Sequence, residues 1–353
     1  MVKFFRSGLA LYLLILIIGF GALYFSYKFY NPFPWHDDFI EYHKMYLRPF
    51  DPAAAMAPFT FRRLSALFTH AIYAIGIYYP ADIVFHEPGY TQRMFFAALF
   101  SNFLCLTGAA WLAGKAVKII TGTRGLVYPL IAGTLCFLSY YTQFAVLTGY
   151  TEGMTWFLVA AAFVAYLGRR VGVLAIILVL SIVQRESVSV AFAVISAAGM
   201  VFDRTQRPFN YKVLLISIAC FAGYFVMRKF SGISGYENQT SPAALLAALL
   251  AFPIDKQIIF NGFFAQNVII LYFIVSVAVF KLVPEHRFWM PALTVTFLVI
   301  FVLGILAGIG GNVGRICAIL TPIFAAFSAV SLMKLEQALD AANRAPTGST
   351  PAV

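Results

Sequence analysis

From Leu9 to about Met333 the chain is a succession of apolar runs, each closed by a short polar or basic break. Runs of about 17 to 25 apolar residues match the hydrocarbon thickness of a bilayer when helical, which is the strongest constraint on what this chain can fold into. Backbone that crosses lipid must close its own hydrogen bonds, so the choice lies between helices and a closed barrel. The runs lack the strict alternation of lipid-facing strands, which leaves an all-α, polytopic transmembrane helical bundle. With 61 % hydrophobic and 11 % charged residues, no soluble second domain is expected.

Charge placement orders the spans. The formal net charge of +11 does not point to nucleic acid, because the basic residues form short clusters between apolar runs and follow the positive-inside bias. Lys3 and Arg6 before the first run read as the start of a retained signal anchor, with both termini inside and about ten spans in between. Residues 1–335 form the transmembrane domain, with a first outer loop at about 28–91 and a second at about 228–261. Residues 336–353 read as a disordered cytoplasmic tail, most clearly from Ala345 to Val353. Within the first loop, the stretch from Phe61 to Tyr79 carries Arg62, Arg63 and His70 and suits a helix lying in the interface. A single span is expected from Leu126 to Leu147, and a second from about Phe288 to Ile309. The stretch from Val171 to Phe202, too long for one span, divides at Gln184, Arg185 and Glu186 into two short helices. Cys105, Cys136, Cys220 and Cys317 all fall in apolar runs and read as small core residues.

The polar residues that break this pattern are the candidates for chemistry. His36, Asp37, Asp38, Glu41 and His43 follow the first span, where an ionised carboxylate can accept a proton from a hydroxyl. Either aspartate can equally cap a short helix beginning near Phe39, and the spacing matches no strong metal signature. Arg185 and Glu186 stand at membrane depth, where an ionisable residue normally faces a bundle interior. Arginine suits phosphate, since its guanidinium stays charged and offers forked donors; the competing reading is a mutual Arg185–Glu186 ion pair. Thr151 and Glu152 fit a helix N-terminus, and Arg315 beside Gly310, Gly311 and Gly314 can clamp a phosphate or anchor a helix end. Asn238-Gln239-Thr240 is a glycosylation sequon.

The order of these features resembles the GT-C-type glycosyltransferases, polytopic enzymes that use polyprenyl-phosphate-linked sugar donors. The resemblance is carried by Asp37 and Asp38 after span 1, Pro58-Phe59-Thr60-Phe61-Arg62-Arg63-Leu64, Gly149-Tyr150-Thr151-Glu152, Gln184-Arg185-Glu186, and Arg315. It implies an inverting transfer to a lipid-linked or glycan acceptor of the cell envelope. Asp37 or Asp38 would be the general base. The substrate-binding set would be His36, Arg62, Arg63, Glu152, Arg185, Glu186 and Arg315, with Arg185 foremost at the phosphate. It also implies membrane lipids as surroundings, no obligatory cofactor or metal, and an outer-facing site in what is expected to be a bacterial inner membrane. The larger members' C-terminal soluble domain has no counterpart here, which argues against a polymer or folded-protein acceptor. The alternatives are a flippase or carrier for lipid-linked sugars, for which only the Arg185–Glu186 break speaks, and an O-antigen-type polymerase.

Overall fold

The structure is a computed structural model and describes residues 8–29, 37–55, 59–78, 91–144, 146–231, 259–283, 286–306 and 313–344, with 247 and 250. At Asp37, Asp38 and Phe39 only the backbone is described. His36, Pro58, the sequon at Asn238–Thr240, Gly310, Gly311, Asn312 and residues 345–353 lie outside the described residues.

The described residues are all-α: α1 Gly8–Phe29, α2 Asp37–Leu47, α3 Arg63–Ile75, α4 Gln92–Thr121, α5 Val127–Leu138, α6 Tyr140–Phe144 and α7 Glu152–Leu167. The remainder are α8 Val171–Ile182, α9 Ser187–Phe202, α10 Arg207–Phe230, α11 Asn267–Ala278, α12 His286–Leu306, α13 Val313–Cys317 and α14 Thr321–Arg344. Five helical stretches are long and apolar enough to cross a membrane: Gly8–Lys28, Gln92–Thr121, Arg204–Phe230, Arg287–Ile305 and Val313–Arg344. Ile17, Phe20 and Phe25 on α1, Ile176 and Val179 on α8, and Leu215, Ile218 and Val226 on α10 are exposed. Apolar surface of this extent is consistent with an integral membrane protein that meets lipid along these faces.

The core is built around α4 and the first half of α14, whose side chains are mostly buried. Helix α4 packs against α1, α3, α5, α7 and α14, and α9 packs against α10 and α12. Its ends follow local chemistry. The Thr91 hydroxyl accepts from the Met94 N–H at 3.2 Å, and Gly122, at φ +66°, closes the helix with its N–H on the Lys118 carbonyl at 2.9 Å.

Three expectations change. The run from Leu126 to Leu147 is not one helix: it breaks at Ser139, whose backbone is extended. The Asn267 amide at the start of α11 repairs the break, donating to the Leu138 carbonyl at 2.8 Å and accepting from the Tyr140 N–H at 3.1 Å. A side chain distant in sequence thus satisfies backbone that would otherwise be stranded in apolar surroundings. Helix α2 starts at Asp37, two residues earlier than a helix capped ahead of Phe39, so both aspartates occupy its first turn. Helix α14 continues to Arg344, so residues 336–344 are helical instead of disordered. Their sequence, Glu336-Gln337-Ala338-Leu339-Asp340-Ala341-Ala342-Asn343-Arg344, is rich in helix formers, and Tyr128 donates to Glu336. The four cysteines are buried and free, as their positions imply.

Candidate functional site

The site is assembled by the tip of the α8–α9 hairpin. The first N–H groups of a helix have no partner within it, and those of α3 are met by this tip. Leu64 N–H donates to the Val183 carbonyl at 3.3 Å, and Ser65 N–H to the Gln184 side-chain oxygen at 3.1 Å. The Ser65 hydroxyl donates to the same oxygen at 3.0 Å. Gln184 Nε2 in turn donates to the Thr151 carbonyl at 2.9 Å and the Thr155 hydroxyl at 3.2 Å. One buried amide therefore ties together the start of α3, the start of α7 and the hairpin tip. Arg62, Glu152 and Arg185, which flank these anchors, are fixed as neighbours.

Glu152 is held by the turn before it. Gly149 takes φ +88°, a conformation that an L side chain rarely adopts, and so turns the chain into α7. The Tyr46 hydroxyl donates to the Gly149 carbonyl at 2.8 Å and lies 3.1 Å from that of Tyr150, while the Asn102 amide also donates to the Tyr150 carbonyl. Gly153 N–H returns a bond to Asn102 Oδ1 at 3.1 Å. A Cβ at Gly153 would stand 2.5 Å from that oxygen and 2.9 Å from the Asn102 backbone, so the close approach of α7 to α4 requires glycine here.

On this frame Arg62, Arg185 and Arg315 converge on the Glu152 carboxylate, and all four side chains are buried. Arg185 Nη1 donates to Glu152 Oε1 at 3.0 Å, and Arg315 Nε pairs with the same oxygen at 3.0 Å. Arg62 Nη1 reaches the Thr151 hydroxyl at 3.4 Å. Aromatic rings line the cluster: Arg62 lies over Tyr42 at 5.2 Å and Phe59 at 5.7 Å, and Arg315 over Tyr150 at 5.0 Å. Helix α13, which carries Arg315, is anchored by the Gln266 amide donating to the Gly314 carbonyl at 2.6 Å. Burial pulls the Arg62 guanidinium down to about 10, with Arg185 the next cause and Glu152 opposing it; at neutral pH it remains a cation. Among the described residues, three buried guanidiniums thus gather around one buried carboxylate. Glu186, half-buried at the tip, offsets a further part of the charge at Arg62. Buried ion pairs add little stability over apolar packing, and an excess of buried guanidiniums is chemically suited to receive an anion.

The structure therefore gathers Arg62, Glu152, Arg185 and Arg315 from distant parts of the chain. Arg185 pairs with Glu152 and not with its neighbour Glu186. Arg315 sits within a short helix, not in an open glycine turn. Arg63 is elsewhere, donating to the Pro49 and Asp51 carbonyls at 2.8 and 3.0 Å and to the Thr60 hydroxyl at 2.6 Å, and so holds the turn before α3. Glu41 pairs with Lys44 at 2.7 Å. Asp37 and Asp38 open α2, whose Tyr42 and Tyr46 pack on the site: Tyr42 meets Tyr150 and Phe59 edge-on at 5.7 and 5.2 Å. The residues that sequence reasoning passed over are Gln184 in its organising role, Ser65, Asn102, Tyr42 and Tyr46. For the polar ones among them, the available signal was a polar side chain inside an otherwise apolar run. Comparisons with protein-family models, with curated proteins and with solved structures returned no match for this chain.

Proposed function

We propose that this protein is an integral-membrane glycosyltransferase. It takes a sugar from a polyprenyl-phosphate-linked donor and passes it, with inversion, to a lipid-linked or glycan acceptor on the outer face of the membrane. The observation that carries this reading is the convergence of Arg62, Arg185 and Arg315 at one buried point, because forked, permanently charged donors suit a phosphate group. In such a reaction the bond between the anomeric carbon and the phosphate oxygen breaks, and the phosphate gains negative charge as it leaves. Preorganised cations aimed at that charge supply a large share of catalysis. A carboxylate at the start of α2, Asp37 or Asp38, would take the proton of the attacking hydroxyl, and α2 packs onto the arginine cluster through Tyr42 and Tyr46.

Five shorter apolar helices, Val127–Leu138, Glu152–Leu167, Val171–Ile182, Ser187–Phe202 and Asn267–Ala278, accompany the five long ones, and the proposed topology of about ten crossings would count them as short spans. With Arg169 and Arg170 at the inner headgroups, the 16 residues of α7 rise about 24 Å and leave Glu152 just beneath the outer edge of a hydrocarbon core about 30 Å thick. A lipid-borne phosphate reaches that depth without leaving its leaflet. The test is transfer of labelled sugar from a polyprenyl-phosphate donor by the purified protein, with Asp37→Asn and Asp38→Asn as variants. Loss of transfer in at least one, with membrane insertion intact, is expected; full activity in both removes the base assignment.

A further inference from the structure

We infer that Glu152 is an internal competitor for the phosphate: its carboxylate takes up the guanidinium contacts that a phosphate oxygen would make, weakens the hold on that phosphate, and so permits its release. This rests on the phosphate reading of the arginine cluster. A single oxygen, Oε1, receives Arg185 Nη1 and pairs with Arg315 Nε, each at 3.0 Å. Carboxylates and phosphates both engage guanidinium through such contacts, so an oxygen of a bound phosphate would be drawn to the same two groups. The other carboxylate oxygen, Oε2, is buried and has no hydrogen-bond partner among the described residues. Carboxylates built into a structure usually fill their acceptor positions. One held at a single oxygen by two cations can give way to a stronger anion.

The competition also has a functional reason. Three buried guanidiniums without an opposing charge would hold the departing phosphate, which carries more negative charge than the donor, most tightly of all and so slow its release. Glu152 subtracts from that attraction. Its place at the N-terminus of α7 sharpens the effect, because carboxylate and phosphate also compete for the positive end of the same helix. Glu186, half-buried at the hairpin tip, acts on Arg62 and pairs with neither Arg185 nor Arg315 among the described residues, so it does not fill this role.

The experiment uses the full chain in lipid nanodiscs with farnesyl phosphate as the probe, measuring affinity and dissociation rate for the wild type, Glu152→Gln and Glu152→Asp. Glu152→Gln is expected to bind about tenfold tighter or more and to release the probe correspondingly slower. Glu152→Asp, which keeps the charge, is expected to bind less tightly than Glu152→Gln. A folded Glu152→Gln protein that binds no tighter than the wild type overturns the inference. If Glu152→Gln does not fold, the wild type carries the test: in protein labelled with carbon-13 glutamate, the Glu152 carboxylate stretch, assigned through Glu152→Asp, shifts when farnesyl phosphate binds. A band that stays put while the probe binds overturns the inference equally. Wild-type binding with either negative result removes the role of Glu152 alone, whereas a wild type that binds no farnesyl phosphate removes the phosphate site itself.

Discussion

Replacing Gln184 by leucine tests whether the α8–α9 tip organises the arginine cluster. Leucine fills a similar volume, so the cost is almost entirely polar. Two of the four partners survive: the Ser65 and Thr155 hydroxyls each keep a contact to the Thr151 carbonyl, at 3.3 and 3.5 Å. The Ser65 N–H, in the first turn of α3, has no such alternative and becomes a buried orphan, and the Thr151 carbonyl loses its 2.9 Å donor. At about 1–3 kcal/mol for a buried group left unmet, the loss comes to about 1–3 kcal/mol, set by the Ser65 N–H alone. Thermal unfolding in nanodiscs, followed by tryptophan fluorescence, should show a melting temperature lower by several degrees. Farnesyl phosphate should bind about tenfold more weakly or worse, because Arg62 and Arg185 lose their shared anchor. A Gln184→Leu protein that melts and binds like the wild type would refute the claim that this amide sets the register of the site.

Four further substitutions separate site from scaffold. Arg63→Ala removes three bonds that hold the turn at Pro49 and Asp51, so stability should fall by about 1–3 kcal/mol while farnesyl phosphate affinity stays within about threefold of wild type. Arg185→Lys keeps the charge but loses the fork, and isothermal titration should show affinity reduced by about tenfold or more. Asn267→Leu strands the backbone at the Ser139 break and should cost about 1–3 kcal/mol in chemical denaturation, with phosphate binding preserved in the folded fraction. Gly153→Ala places a methyl against Asn102 and should destabilise by about 1–3 kcal/mol despite the better helix propensity of alanine; a neutral melting curve would contradict the tight α4–α7 contact.

The sequence carried the helical class because lipid leaves the backbone so few choices, and it carried the division of the 171–202 stretch because Gln184, Arg185 and Glu186 interrupt an otherwise apolar run. It did not carry the break at Ser139. The uncharged stretch Ser139-Tyr140-Tyr141-Thr142-Gln143 is a weaker interruption than Gln184-Arg185-Glu186, and the side chain that repairs the break, Asn267, is more than a hundred residues away. The site was legible as a set of residue types and illegible as an arrangement. Arg62 and Arg63 are adjacent and chemically alike, yet only Arg62 turns into the cluster, because the N-terminus of α3 faces the hairpin tip while Arg63 faces the Pro49–Asp51 turn. Glu152 read equally as a helix-start residue or a site residue; it opens α7 and pairs with Arg185 and Arg315. The pairing of Arg185 with Glu152 in place of Glu186 depends on the three-way anchoring by Gln184, a tertiary contact that local spacing does not encode.

The central claim is that the three buried arginines hold a lipid-borne phosphate. A structure of the protein with a bound polyprenyl phosphate tests it most directly. Phosphate oxygens should lie within about 2.7–3.2 Å of guanidinium nitrogens of Arg62, Arg185 and Arg315. A phosphate bound instead at the basic residues of the opposite end, around Arg169 and Arg170, with the Arg185–Glu152–Arg315 contacts unchanged, would contradict it.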